Sequence, residues 1–551
     1  MQIREVMGLC RMRFLFAGKR EGYALVSPQD LYKKTNTEYG FLTEENHNEF
    51  KELQIVELNH GMEPSYWCQD EVLASVLQDE EGCFIKWDKE GLMPLTFVQK
   101  VTEGNYKVSI VLYAKEEAQV MVFLGRRRLL YQGKLKADET VTLQGLVNVC
   151  PVIPRNYTTV MEDNTVDVTI LGKGVHIREV EITPWEGRTI YIAGDSTVTD
   201  QSAAYPYYPW SSYCGWGQML SCYLKDEMAV SNHAHSGLTT ESFRTEGHYN
   251  ILIERIRKDD ICLFQFGHND QKQMELKAYE GYQDRLLTYI EEIKKVGAIP
   301  VLVSPLARNS WLGTGAYNDL LAEYAEVCKE IAAKNHIPFV DLHARSMAFI
   351  TNQGREEAKR FFFPSDYTHS NDYGAYLFAG YVYEELVKAQ LVKKSAYTSW
   401  LPDGEVFQIV IPKEYANKSI TVSQELFTDL ERPEEPLTRI EALDMVIQTM
   451  KFFPTNVYND AFIDIIGHES YAGTVECAWQ NDLIPEEMIS EHRFEPQKKI
   501  TGEEFATILI RGIKSRTDLA CDEQKRIKEK VLLSAEIKRI DAANLCKQIQ
   551  I

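Results

Sequence analysis

Short polar segments in the middle of the chain contain the residue types that nucleophilic and acid–base chemistry requires. The run "TIYIAGDSTVTDQ" ends an apolar stretch at Gly194-Asp195-Ser196-Thr197 and so presents a serine directly after a strand-like segment. Further along, "PSDYTHSNDYG" contains Asp366 and His369 at D-x-x-H spacing, which lets one loop hold both side chains. Serine is a poor nucleophile near neutral pH unless a histidine lies within hydrogen-bond reach. Ser196 is therefore a candidate for chemistry if the fold brings a histidine to it.

Each of these segments also has a plain structural interpretation. Gly, Asp, Ser and Thr are ordinary turn residues, "FGHND" could begin a helix with Asp270 as its cap, and Asp366 with His369 could form a surface pair. Their position favours chemistry. The serine segment, "HSGLTTESF" and "FGHND" each follow a strand-like run, and open α/β sheets bind ligands at the carboxyl ends of their strands.

Composition excludes several classes of protein. The chain has 551 residues, 44% of them hydrophobic, and a net charge of -21, which predicts two to four soluble globular domains and no binding of nucleic acid. Its 11 cysteines form no C-x-x-C pair, as in a reduced intracellular protein. Arg11 and Arg13 interrupt the apolar N-terminal run, and no apolar stretch is long enough to span a membrane. We expect a cytoplasmic protein, or one at the cell surface if a leader was removed.

The pattern of elements divides the chain into four parts. Short alternating strands predict a β-sandwich over residues 1–185. Strands alternate with helices over residues 186–394, which predicts a parallel sheet covered by helices on both faces. A connector over 395–435 contains "ERPEEP", and residues 436–551 read as a small α-helical module. Its segments "LTRIEALDMVI" and "ITGEEFATILI" echo each other, each with a Thr cap and a Glu three residues later.

The middle region resembles the SGNH (GDSL-type) hydrolases, because the serine segment, "HSGLTTESF", "FGHND" and "DYTH" correspond in order to that family's four blocks. "YIAGDSTVTD", "GWGQML" and "SNHAHSGLTTESF" are most similar to the rhamnogalacturonan acetylesterase branch. The resemblance covers about residues 188–390 and implies a three-layer, flavodoxin-like α/β domain with no metal or other cofactor.

The resemblance also implies a role for five residues. Ser196 corresponds to the nucleophile, His369 to the general base, and Asp366 to the residue that orients the imidazole. The oxyanion hole would consist of the backbone N–H groups of Ser196 and Gly237 and the side-chain amide of Asn269. A glycine suits position 237 because a backbone without Cβ lets the substrate approach closely.

Other residues near these blocks are weaker candidates. Tyr208, Trp210 and Trp216 lie in the aromatic-rich "YPYYPWSSYCGWG" and either cap the sheet or form a stacking wall for sugar rings. Arg308, in "SPLARNSW", either binds a uronate carboxylate or is an exposed arginine of no importance. The H-x-H pair in "SNHAHS" lacks a third ligand at metal spacing, so we expect no zinc.

The flanking parts resemble known modules. The N-terminal sandwich is similar to galactose-binding-like domains, and we expect it to brace its neighbour. The tail resembles a degenerate surface-layer homology unit, with one unit and a partner helix, and we interpret it as an appendage for dimerisation or for fencing the site entrance. A homodimer is thus one expectation.

The sequence therefore predicts a serine esterase that removes O-acetyl groups from plant cell-wall oligosaccharides, foremost the rhamnogalacturonan fragments of pectin. Acetylated xylan or mannan oligomers are the alternative substrates. A noncatalytic carbohydrate- or wall-binding scaffold is the alternative class; it predicts a lesion in one of the blocks, and none is visible.

Overall fold

The structure is a computed structural model. It describes residues 11–33, 36–43, 62–64, 74–87, 91–153, 159–224, 227–311, 315–364, 366–402, 427, 430–452, 454, 458, 461–467, 469–515, 521–531 and 533–549. Most of the predicted connector, residues 403–426, lies outside these ranges. Within them, no helix combines the length and apolar character needed to cross a membrane.

Two sheets form the N-terminal part, and all but one of their strand pairs are antiparallel. Burial alternates along the Gly104–Ala114 strand, so one of its faces packs inward, as the sequence pattern predicts. Phe97 of the second sheet packs against Phe14 of the first, with ring centroids 4.9 Å apart. The strands of the first sheet are Met12–Leu15, Ala24–Leu25, Ala74–Asp79, Gly82–Trp87, Gly104–Ala114, Glu139–Val149 and Val175–Pro184; those of the second are Tyr39–Leu42, Pro94–Lys100, Ala118–Leu124, Arg128–Leu135 and Thr165–Leu171. The likeness to galactose-binding domains stays a prediction.

The middle part contains a five-stranded parallel sheet. Its strands are, in spatial order, Ala229–Asn232, Thr189–Gly194, Ile261–Gln265, Ile299–Val303 and Phe339–Val340. The first strand along the chain thus lies between the second and the third, which is the flavodoxin-like order, and the chain reverses direction across the sheet at this point. A crevice forms at this reversal, at the carboxyl ends of the Thr189–Gly194 and Ile261–Gln265 strands. Sheets of this kind bind their ligands in that crevice.

Helices cover both faces of this sheet. Alternate residues of the Thr189–Gly194 strand belong to different cores: Ile190 and Ile192 pack on one face, and Tyr191 and Ala193 on the other. The helices of this part are Trp216–Met219, Ser221–Leu224, Ser242–Thr245, His248–Ile253, Gln283–Val296, Ala322–Asn335, Leu342–Gln353, Arg355–Ala358 and Asp372–Lys388. The Ala322–Asn335 helix begins after a turn in which Tyr317 bridges back to Trp311.

Three consecutive arginines connect the N-terminal sheets to the parallel sheet. Arg126, Arg127 and Arg128 follow the Ala118–Leu124 strand and are 8%, 1% and 3% exposed. Arg127 donates to Asp372 over 2.5 Å, and Arg128 donates to both Asp200, at 2.9 and 3.1 Å, and the carbonyl of Val230. Arg126, Arg127 and Arg128 are thus part of a buried polar junction.

The C-terminal module contains three similar units, where the sequence echo predicted two. The N–H of Leu437 donates to the carbonyl of Ile537, Ile537 donates to Ile500, and Ile500 donates to Leu437, which closes a ring of three hydrogen bonds of 2.9–3.0 Å. A helix begins two residues after each of these positions. The sequence does not reveal the third unit because Lys538 occupies the cap position where the other two units have Thr. The Lys538 side chain makes no cap hydrogen bond. The helices are Arg439–Met450, Ala472–Gln480, Gly502–Lys514, Cys521–Glu529 and Arg539–Lys547.

Candidate active site

Ser196 lies at the crevice, two residues beyond the end of the Thr189–Gly194 strand. Its Oγ is 2.7 Å from Nε2 of His369, although the two residues are 173 positions apart in the chain. The strand can approach its neighbour closely only because residue 194 is a glycine: a Cβ there would lie 2.8 Å from the carbonyl of Gln265. The predicted meeting of serine and histidine at one edge of the sheet is present in the structure.

Asp366 fixes the orientation of the His369 ring. Its Oδ2 is 2.8 Å from His369 Nδ1, and its Oδ1 accepts the backbone N–H groups of Thr368 and His369 at 3.0 and 2.9 Å. Asp366 is buried, whereas the side chain of His369 is 26% exposed. The carboxylate therefore requires a proton on Nδ1, which leaves Nε2 as an acceptor toward Ser196.

The two backbone N–H groups that the sequence assigns to the oxyanion hole make no hydrogen bond within the described residues. Among the described residues, neither the N–H of Ser196 nor that of Gly237 donates a hydrogen bond. Gly237 adopts φ +85°, which favours glycine, and a Cβ added there would meet no atom within 4 Å, so the position borders open space. Asn269 Nδ2 donates one of its two hydrogens to the carbonyl of Leu238 at 3.0 Å, which ties it to the loop that carries Gly237.

A buried pair connects the serine loop to the "GHND" loop. His268 Nδ1 lies 3.2 Å from Asp195 Oδ2, and its Nε2 lies 2.9 Å from the carbonyl of Leu306. Both ring nitrogens of His268 thus face oxygen atoms that can accept a hydrogen bond. Burial alone would raise the pKa of Asp195, but the charge of His268 and hydrogen bonds from His268 and Thr197 hold it below its usual value. The pair positions Asn269 relative to Ser196.

Asp270 connects the loop that carries Thr240 to the loop that carries Gly267. Its Oδ1 accepts the N–H and the hydroxyl of Thr240 at 2.9 and 2.6 Å, and its Oδ2 accepts the N–H of Gly267 at 3.1 Å. Burial raises the pKa of Asp270 to about 7, although the bonds from Thr240 lower it. Asp270 is therefore a structural link and not a helix cap.

The four weaker substrate-binding candidates differ in exposure: two lie at the surface and two are buried. Tyr208 is 37% exposed, and its ring lies 5.6 Å from that of the half-buried Trp210, so both are available at the surface. Trp216 is fully buried and donates to Gln265, and Arg308 is 3% exposed and donates to the carbonyl of His268. Both of these side chains use a polar group inside the protein, and a substrate contact stays a prediction for them.

The side chains of His233 and His235 contact different partners. The ring of His233 stacks on Tyr191 and its Nε2 lies 2.8 Å from the Ser231 hydroxyl, while the ring of His235 lies 5.6 Å from that of His248. In the described part of the chain, no group of three or more His, Cys, Asp and Glu side chains is arranged to hold a metal ion.

The sequence analysis missed two residues that border the site. Tyr213 contacts His369 edge-on, with ring centroids 5.9 Å apart, and stacks on Phe363 at 3.7 Å. Arg127, from the N-terminal sheets, donates to the carbonyls of Tyr213 and Gln201 and to Asp372. The only signal was the unusual run of three arginines in strand-like sequence.

Ser196, His369 and Asp366 form a hydrogen-bonded row at the carboxyl ends of a parallel α/β sheet, an arrangement that acyl hydrolases use. The profile of the GDSL-like Lipase/Acylhydrolase family matches residues 192–376. The chain belongs to this family, and the resemblance to SGNH hydrolases is confirmed.

The chain is similar to several known proteins. The chain is 35% identical to the rhamnogalacturonan acetylesterase RhgT of Bacillus subtilis over 173 residues, which are 31% of this chain and 72% of RhgT. It is 33% identical to YesY of the same organism over 194 residues, which are 34% of this chain and 86% of YesY. A crystal structure of Bacillus subtilis YxiM aligns at 22% identity and a TM-score of 0.35 over 69% of this chain and 99% of YxiM.

Proposed function

We propose that this protein is a serine esterase that removes O-acetyl groups from carbohydrate. The main support is the 2.7 Å contact between Ser196 and His369, with Asp366 2.8 Å from the far nitrogen of the same ring. Family membership supports an acyl hydrolase, and the names of two relatives, RhgT and a second one from Emericella nidulans, support an acetyl group on a sugar.

The geometry supports a two-step reaction. Ser196 Oγ attacks the acetyl carbonyl carbon while His369 Nε2 takes the hydroxyl proton, and Asp366 stabilises the imidazolium that forms. When the tetrahedral intermediate collapses, the bond to the sugar oxygen breaks and His369 returns the proton to that oxygen. Water, deprotonated by His369, then attacks the acetyl-serine and releases acetate.

Asn269 completes the proposed oxyanion hole with the N–H groups of Ser196 and Gly237. We expect Asn269→Ala to lower kcat about 10²- to 10³-fold, because loss of one such donor typically raises the barrier by about 2.7–4 kcal/mol. The measurement is steady-state hydrolysis of p-nitrophenyl acetate.

Asn335 offers a matched control for this substitution. It also donates through Nδ2 to a backbone carbonyl, that of Ile331 at 2.9 Å, but it ends a helix away from the crevice. Asn335→Ala should leave kcat within about twofold of wild type. Equal rates for wild type and Asn269→Ala would contradict the oxyanion role.

Rhamnogalacturonan fragments are the substrate that we propose first, and acetylated xylan or mannan oligomers are the alternative. Two relatives named rhamnogalacturonan acetylesterases, 35% and 26% identical, support this order. The test measures acetate released from acetylated oligosaccharides of all three kinds by wild type and by Ser196→Ala. We expect the highest kcat/KM on rhamnogalacturonan pieces and no release by the variant.

The outcomes of this panel test the identity of the substrate and the serine mechanism independently. A preference for xylan pieces would replace the substrate and keep the chemistry. Equal acetate release by wild type and Ser196→Ala would overturn the serine mechanism. A noncatalytic scaffold predicts a broken site, and the intact hydrogen bonds of Ser196, His369 and Asp366 argue against it.

For the N-terminal part, we propose that it braces the catalytic domain. The support is the buried position of Arg127 and Arg128, both of which donate to groups of the parallel-sheet domain. Dimer formation and the place of the protein in the cell remain predictions.

A further inference from the structure

A small cavity lies where the N-terminal sheets meet the edge of the parallel sheet. It has a volume of about 30 Å³, enough for a ligand's polar group to replace water. Arg126 and Val152 line it from the N-terminal side, and Gln201, His235 and His248 line it from the catalytic side. Both domains therefore build its walls.

The cavity adjoins the proposed oxyanion loop. His235 precedes Gly237 by two residues, which span at most about 7 Å of chain. His235 N–H donates to the carbonyl of Gly194, next to the serine loop, and Gln201 donates to Ser236 at 3.3 Å. The cavity therefore borders the chain segment that leads into Gly237.

Arg126 brings an unsatisfied donor to this cavity. Its side chain is 9% exposed, and among the described residues its Nη2 is buried with no hydrogen-bond partner. Its Nε is only loosely paired, 3.6 Å from Asp200 and 3.9 Å from Asp163. A buried donor without a partner costs free energy, and a ligand oxygen in the cavity would remove that cost.

The charges around Arg126 select an uncharged ligand group. The positive charges of Arg126 and Arg128 are balanced by the carboxylates of Asp163 and Asp200. Burial and the neighbouring His235 lower the pKa of His248 to about 4, so that His248 adds no charge near neutral pH. A third carboxylate, brought by the ligand, would give the buried junction an excess negative charge.

We propose that this cavity is a subsite for a hydroxyl group of an uncharged sugar unit next to the acetylated one, with Arg126 Nη2 as the donor to that hydroxyl. The inference rests on the proposed carbohydrate esterase function. It makes the N-terminal sheets part of substrate recognition, because Arg126 and Val152 belong to them.

The test compares a substrate that reaches the subsite with one that does not. The readout is the ratio of kcat/KM for acetylated oligosaccharides to kcat/KM for p-nitrophenyl acetate, which has no sugar. We expect Arg126→Met to lower this ratio about tenfold or more, since a hydrogen bond from a charged donor is lost. An unchanged ratio in a folded variant would overturn the subsite.

A second variant covers the case in which Arg126→Met fails to fold. Val152→Phe should fill the cavity from the same side and lower the ratio in the same way, without touching any charge. Asn250→Leu is the matched control, because Asn250 is exposed on the His248–Ile253 helix outside the cavity, and its ratio should equal that of wild type. An unchanged ratio in Val152→Phe would also overturn the subsite. If wild type itself releases no acetate from oligosaccharides, the proposed function fails instead.

Discussion

Replacing Asp366 by Asn is expected to lower kcat about 10⁴-fold while the protein stays folded. The asparagine oxygen can still accept the backbone N–H groups of Thr368 and His369, so the loop keeps its shape. Its NH₂ group, however, would face His369 Nδ1 and would require that nitrogen to be an acceptor. The proton would then lie on Nε2, which could no longer take the proton of Ser196.

The protein contains a matched control for this substitution. Asp319 accepts from His343 Nε2 at 3.1 Å, and His343 Nδ1 lies 3.1 Å from the carbonyl of Pro305, so this Asp–His pair has similar chemistry beside the Ile299–Val303 strand, which does not carry Ser196. Asp319→Asn should leave kcat within about twofold of wild type. Steady-state rates on p-nitrophenyl acetate, with circular dichroism to verify folding, decide the matter. A loss of less than tenfold in Asp366→Asn would refute the orienting role.

Replacing Arg127 by Met is expected to have the largest effect on stability. Arg127 and Asp372 are completely buried as a pair, and Tyr207 also donates to the same carboxylate. Burial raises the pKa of Asp372, and Arg127 is the charge that opposes this rise. Removing Arg127 leaves the buried carboxylate of Asp372 without an opposite charge, which typically costs about 3–5 kcal/mol of unfolding free energy.

Urea unfolding followed by circular dichroism measures this loss. The double variant Arg127→Met with Asp372→Asn should be less destabilised than the sum of the two single variants, because the stranded charge is gone. Arg178→Met removes a partly exposed arginine paired with Glu81 on the N-terminal sheet and should cost less than about 1 kcal/mol. Identical unfolding midpoints for Arg127→Met and wild type would show that the junction does not stabilise the protein.

The catalytic candidates were predictable because their signals are local. Ser196 directly follows an apolar strand, and Asp366 and His369 share one loop, so each piece could be recognised in a few residues of sequence. The order of the parallel strands then brings the two pieces together. The burial of Trp216 and Arg308 was not predictable, since their partners Gln265 and His268 lie on other strands and loops.

Two further features, a contact between residues far apart in the chain and the third helical unit, were still harder to predict from the sequence. Arg127 and Asp372 are 245 positions apart, and no pattern near either residue indicates the other. The third helical unit of the C-terminal module has Lys538 at its cap position, so the Thr-x-x-Glu signature that identified the first two units is absent. In both cases, tertiary contacts supply the stabilisation that local sequence does not reveal.

The closed circuit of hydrogen bonds through Leu437, Ile500 and Ile537 has a consequence for how the tail tolerates shortening. A linear stack of repeats loses only its last member when it is cut, and the members before it keep their neighbours. A circuit has no last member. Deleting the helix Arg539–Lys547 together with Ile537 would leave Leu437 without an acceptor and Ile500 without a donor, so damage at the very end of the chain would reach the first unit as directly as the second.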